Sequence, residues 1–350
     1  MILGLAPMDW FTDCAMRQIT QNIFDKYWNK SDYDLWLWTE FMTADGYSRN
    51  PWWVIKHLLT NKDQKNLIAQ IFWWNQETLV KTAIDIQNKY WSFFKWIELN
   101  IWCPANNVMK SWWWAQLLND KKNTLKIIQS LKSNLDLPFS IKTRTGLNEK
   151  DKKDQTEFIL EASKYCSMIT IHWRTLVWWY SEDPDRDFIY NIKKLANKNC
   201  KVFWNGWIKS YQEIESYYKW NGVILDWLMI WQAAIWNPRA FTTHTPDKKE
   251  LKEIIIKHLN LMLDYELQFI KNIQTFQHWN ISTSWYIEII LKDKKNLKLS
   301  ANSQELRTIV EFRKHLFNYV KWIPWSKEFK QKIAQIKDYE NLVNEINNFL

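Results

Sequence analysis

The chain has 350 residues, 47% of them hydrophobic, and 47 Lys and Arg outweigh 38 Asp and Glu to give a formal charge of +9. That apolar share excludes a disordered chain, and no run of about 20 apolar residues is present to cross a bilayer. Cys14, Cys103, Cys166 and Cys200 stand apart with no CxxC pair, which excludes a disulfide scaffold and a structural zinc and leaves no metal expected.

Short apolar runs, many of them β-branched, alternate along the first two thirds with segments of helical periodicity. Strands are predicted at Ile2–Met8, Asp34–Glu40, Leu67–Phe72, Ile97–Trp102, Phe139–Thr145, Met168–Arg174, Lys201–Gly206 and Gly222–Ile230. Between them the spacing predicts helices that include Glu77–Asn88, Ala115–Leu131, Thr156–Tyr165 and Tyr211–Tyr218. Eight strands, each followed by a helix, is the count of an α/β (β/α)8 TIM barrel, which takes about 250 residues. After Pro246 the polar joint Asp247-Lys248-Lys249-Glu250 leads into helical patterns at Leu251–Lys271, Ser303–Phe317 and Ser326–Phe349. The expected organisation is a catalytic barrel over 1–246 and an all-helical domain over 247–350, basic on its outer face. Met1–Pro7 is too short for a secretion signal and Asp9 follows at once, so the expected location is the cytoplasm, with no membrane partner.

The composition holds 27 Trp and 5 Gly, where an average chain of this length would carry roughly 25 Gly. Many indoles stand where backbone must bend or approach a ligand. Trp112-Trp113-Trp114 follow Ser111 at an expected helix start, Trp204 and Trp207 flank Asn205-Gly206, and Trp236 precedes Asn237-Pro238. Glycine serves such places and an indole blocks them. A code that reads UGA as glycine, translated with UGA as tryptophan, would produce this pattern. Trp38 is among those expected to be genuine.

Reactive and polar residues gather at the carboxyl ends of the predicted strands, where barrel active sites are assembled. In chain order these are Pro7 and Met8, Gln70, Asn100 with Cys103, Lys142 with Arg144, His172 with Arg174, Asn205 with Gly206 and Trp207, and Trp231 with Gln232. Backbone N–H groups after the seventh and eighth strands would form an anion cradle, provided that Trp207 and Trp231 are small residues.

With glycine at the suspect positions, residues 6–13 read APMDGFTD, 98–104 ELNIGCP, 110–114 KSGGG, 172–175 HGRT, 205–208 NGGI and 229–238 MIGQAAIGNP. This resembles the tRNA-dihydrouridine synthase family from Met1 to about Phe241. The tail adds Glu311–Leu316 and Lys321–Trp325, the latter reading KGIPG. The resemblance implies an FMN-dependent oxidoreductase that reduces the C5–C6 bond of tRNA uridines, with NADPH or NADH as reductant and tRNA as partner. Cys103 matches the family's proton donor. Pro7, Met8, Gln70, Lys142, His172, Asn205, Gly206, Trp207, Trp231 and Gln232 match its flavin site, with Gln232 standing where the family often has arginine. Asn100, Arg174 and Tyr180 are expected to hold the uridine or its phosphates, and the enzyme is expected to be monomeric. Two alternatives stay open: a dihydroorotate dehydrogenase-like FMN barrel acting on a free small molecule, and a flavin-free RNA-binding protein if every Trp is genuine.

Overall fold

In the computed structural model, residues 2–28, 33–101, 116–175, 184–237, 239–275 and 297–350 are described. Among them, eight parallel strands close on themselves: β1 (Ile2–Leu5), β2 (Asp34–Trp38), β3 (Leu67–Phe72), β4 (Phe94–Asn100), β5 (Phe139–Arg144), β6 (Met168–His172), β7 (Lys201–Asn205) and β8 (Trp227–Ile230). Each pairs with its successor in the chain, and β8 returns to β1 with Ile2 opposite Trp227. The ring has no free edge, so every strand can be apolar on both faces. The eight-stranded barrel expected from the alternation is present.

Outside the ring run α1 (Cys14–Tyr27), α2 (Ala44–Arg49), α3 (Gln76–Tyr90), α4 (Lys121–Asn134), α5 (Lys152–Ala162), α6 (Arg186–Leu195), α7 (Ile214–Tyr218) and α8 (Gln232–Trp236). Side-chain caps set several starts: Asp13 accepts from Met16 N at 2.8 Å, Asn75 from Thr78 N at 2.9 Å, and Asp185 from Phe188 N at 3.1 Å. The expected helix Ala115–Leu131 is two pieces, because Asp120 ends Gln116–Asn119 and caps α4 through Asn123 N at 3.0 Å.

The predicted strand Gly222–Ile230 also needs correction. Val223–Ile224 turns back on Lys219–Trp220 as a small antiparallel pair, and only Trp227–Ile230 joins the barrel. Asn221 and Gly222 lie between the two short strands at φ +47° and +79°, the pairing of left-handed residues that a tight hairpin requires.

Alternation along the strands puts Trp38, Ile68, Met168, Phe203, Trp227 and Met229 into one buried cluster, with Trp36 and Trp96 packed against it. Trp38 lies so close to β1 that a Cβ on Gly4 would come within 2.8 Å of its ring. Only glycine leaves that space.

The chain divides into two compact units, Met1–Ala234 with Pro238–Thr243, and Ile235–Asn237 with His244–Leu350. The second contains α9 (Lys248–Thr275), α10 (Leu297–Tyr319), α11 (Ser326–Ile333) and α12 (Tyr339–Phe349). The single helix expected over Ser326–Phe349 is thus two. Asp338 interrupts it and caps α12 by accepting from Asn341 N at 2.9 Å. Inside this unit His258 Nδ1 meets the Tyr319 hydroxyl at 2.9 Å, both groups buried. No helix among the described residues is long and apolar enough to cross a membrane.

Candidate active site

Eight of the singled-out residues lie at the carboxyl ends of β3 to β8, and the reason is the two-residue period of a strand. Gln70, Asn100, Lys142, His172 and Asn205 each sit at a strand's last turns, and register pairs Asn100 with Lys142 and His172 with Asn205. Gly206 and Trp207 continue from β7, and Trp231 from β8. Pro7 and Met8 are buried just beyond β1, while Gln232 is exposed at the start of α8. Cys103 and Tyr180 lie outside the described residues, as do Trp112-Trp113-Trp114.

One polar chain runs up the barrel interior. Glu98, fully buried on β4, accepts from Gln70 Nε2 at 2.7 Å, Trp38 Nε1 at 2.8 Å and Ser140 Oγ at 3.3 Å. Gln70 Oε1 in turn accepts from Asn100 Nδ2 at 3.2 Å, which fixes the amide orientation of Gln70. Burial pushes the Glu98 carboxyl up to about 7, against the opposing pull of Gln70, Lys142, Trp38 and Ser140. Sequence reading passed over Glu98 as part of a motif. The available signal was a carboxylate at an inward position of an otherwise apolar strand.

A second group is cationic. His172 is buried, and Arg174 N donates to its Nδ1 at 3.3 Å, which leaves the ring proton of the neutral imidazole on Nε2. Burial first, then the charges of Arg144, Lys142 and Arg174, holds His172 well below the usual imidazole range. His172 Nε2 and Asn205 Oδ1 are both buried without a hydrogen-bond partner among the described residues. Two orphaned polar atoms beside three cations suit an anionic ligand that brings its own donors and acceptors.

Indoles crowd the same place. The Trp231 ring stands edge-on to His172 at 5.1 Å, and Trp207 stands edge-on to Trp173 at 5.3 Å. Trp173 lies against Gly206, where an added Cβ would be 2.7 Å from its ring and 3.1 Å from His172 Nε2. The polar atoms therefore fit the edge of a flavin, whereas a cradle carrying indoles at 173, 207 and 231 does not fit a flavin phosphate.

The family model for dihydrouridine synthase (Dus) matches residues 4–350. The chain belongs to the dihydrouridine synthase family. Among curated relatives, a "Probable tRNA-dihydrouridine synthase" of Rickettsia typhi is 28% identical over 182 residues, 49% of this chain and 54% of that protein. One of the same name from Staphylococcus aureus strain COL is 28% identical over 287 residues, 79% of this chain and 81% of its own. The match thus spans about half the length of the first relative and four fifths of the second. Among solved structures, a mandelate oxidase complex with (S)-2-phenylpropionate aligns at a TM-score of 0.42 and 10% identity, covering 67% of this chain and 64% of that one.

Proposed function

We propose that this chain is a tRNA-dihydrouridine synthase, saturating the C5–C6 bond of particular tRNA uridines. The observation that carries this reading is the family match over residues 4–350. FMN as cofactor and NADPH, or NADH, as reductant belong to the reading. In it, residues 1–246 do the chemistry, residues 247–350 grip the tRNA, and the enzyme works as a monomer in the cytoplasm.

The residues have distinct tasks in this reaction. Protonating a carbon needs a positioned acid, and a thiol of ordinary pKa near 8.5 stays protonated at neutrality and donates on demand. Cys103, three residues past Asn100, holds that proton at Sγ for C5 of the uracil. Asn100 and Arg174 hold the base and its phosphates, Arg174 by the paired donors of its guanidinium. Tyr180 completes that set. Lys142 and His172 would hold the flavin ring, the lysine supplying charge and the neutral imidazole its Nε2–H. With small residues at 173, 207 and 231, Asn205, Gly206 and the backbone amides of residues 207, 231 and 232 would hold its phosphate, and Pro7, Met8 and Gln70 would border its ring.

A uracil in a stacked tRNA must be drawn out to reach a barrel mouth, at a cost of a few kcal/mol. Phosphate contacts by the basic chain offset that cost.

The test is expression of the gene, with glycine restored at the suspect tryptophans, in a host lacking dihydrouridine. Mass spectrometry of its tRNA should find dihydrouridine with the parent protein and almost none with Cys103→Ala. Equal product from both removes Cys103 from its role. Turnover of free uracil or dihydroorotate, with tRNA untouched by a folded protein, overturns the whole reading.

A further inference from the structure

Left-handed backbone excludes most side chains, because the Cβ clashes with the neighbouring carbonyl; glycine escapes the clash and Asn tolerates it. Among the described residues, the positive-φ positions other than glycine are Trp10 (68°), Asn66 (51°), Trp207 (67°), Asn221 (47°) and Trp325 (65°). Two are the residue expected there, and the other three are all tryptophan. Aromatic side chains have no affinity for this region.

Each of these three residues has a defined backbone role. Trp10 N donates to Glu40 Oε1 at 2.8 Å while its side chain is 56% exposed. Trp325 caps α11 from the left-handed region with no side-chain hydrogen bond, and it is 78% exposed. Trp207 follows Gly206, itself at φ +97°, so two successive left-handed residues make the bend after β7. Trp38 is the opposite case: fully buried, with its indole N–H on Glu98 and its ring against Gly4.

We propose that the protein as its own cell makes it carries glycine at positions 10, 207 and 325 and also at 173 and 231, and tryptophan at 38. At 10, 207 and 325 this follows from backbone geometry, and at 173 and 231 from the crowding of Gly206 and His172; it stands apart from the proposed reaction, which it touches only in opening the cradle after β6, β7 and β8. With the side chains at 173, 207 and 231 gone, His172 and the bend at 206–207 no longer have indoles against them. The disagreement between a cradle that ought to accept a phosphate and indoles that fill it is then resolved.

Peptide mass spectrometry of the protein isolated from cells that carry the gene reads each position directly. Glycine is expected at 10, 173, 207, 231 and 325 and tryptophan at 38. Tryptophan at 10, 207 or 325, or glycine at 38, overturns the proposal whatever the enzyme's activity. Should glycine be found there and tRNA still gain no dihydrouridine, the functional reading fails and this one stands.

A second measurement uses recombinant protein with the sequence as written. Trp10→Gly and Trp325→Gly should each raise Tm by about 2–4 °C, as relief of left-handed strain would in a chain of this size. Trp38→Gly should lower it. In an FMN titration followed by flavin fluorescence, the protein with Trp173→Gly, Trp207→Gly and Trp231→Gly together should saturate where the parent does not. Unchanged or lowered Tm for both exposed variants, or equal FMN binding by the two proteins, counts against glycine at those sites.

Discussion

Gln70 donates from Nε2 to Glu98 Oε1 at 2.7 Å in the middle of the barrel, and the same amide accepts from Asn100 at its other end. A fully buried carboxylate is thereby joined to the strand end that precedes Cys103. Removing one donor while leaving the carboxylate should be costly, since the stranded group loses its partner without regaining water. Gln70→Leu is expected to destabilise the protein by about 1–3 kcal/mol. Denaturant unfolding of variant and parent checks this, and an unchanged midpoint would show that the pair contributes nothing.

Glu98 also sets a pH dependence of stability. Its carboxyl titrates at about 7 in the folded protein against an ordinary 4.5. Between those values the folded chain holds a proton that the unfolded chain has released, so stability falls as pH rises from about 4.5 to 7. Below 4.5 the contribution is complete. Glu98→Gln should flatten this segment of the stability profile. Parallel profiles for variant and parent across the window would contradict the assignment.

His172 runs the other way. Its imidazole is held well below 6.5, so above that pH folded and unfolded chains are both neutral there. As pH falls below about 6.5 the unfolded ring gains a proton that the folded one refuses, and stability is lost. Two-dimensional NMR of the imidazole should show a neutral ring, protonated on Nε2, throughout pH 6–8. A ring that titrates near 6.5 would remove the argument for a neutral donor facing the ligand.

Arg174 should matter to affinity and to its salt dependence together. Its guanidinium lies 4.7 Å over the Trp173 ring, beside Lys142 and Arg144 around His172. If it meets one phosphate, Arg174→Met should weaken tRNA binding and reduce the slope of log affinity against log salt by roughly 0.7 to 0.9. Filter binding at several salt concentrations measures both. A weaker complex with the slope unchanged would assign Arg174 to the base instead.

Much of the barrel is legible in the residue order because a strand buried on both faces declares itself locally. β3, Leu67–Phe72, has the bounds that its apolar run predicts. Errors fall where one side chain decides. Asp120 and Asp338 cap helices in the middle of runs whose apolar spacing continues unbroken, and Asn221-Gly222 folds back a stretch that reads as one strand.

The site divides along the same line. His172, Asn205, Lys142, Asn100 and Gln70 could be picked out because strand ends and motif spacing place them at one mouth. Glu98 could not, since its importance lies in Trp38, Gln70 and Ser140, which approach it from β2, β3 and β5. Sequence alone determined the strand count, the mouth residues and the excess of indoles over glycines, all of which are properties of short stretches or of composition. Tertiary structure alone decided which carboxylate is buried, which imidazole is neutral and which tryptophans occupy left-handed backbone. Those depend on contacts and dihedral angles that exist only once distant segments have closed the ring.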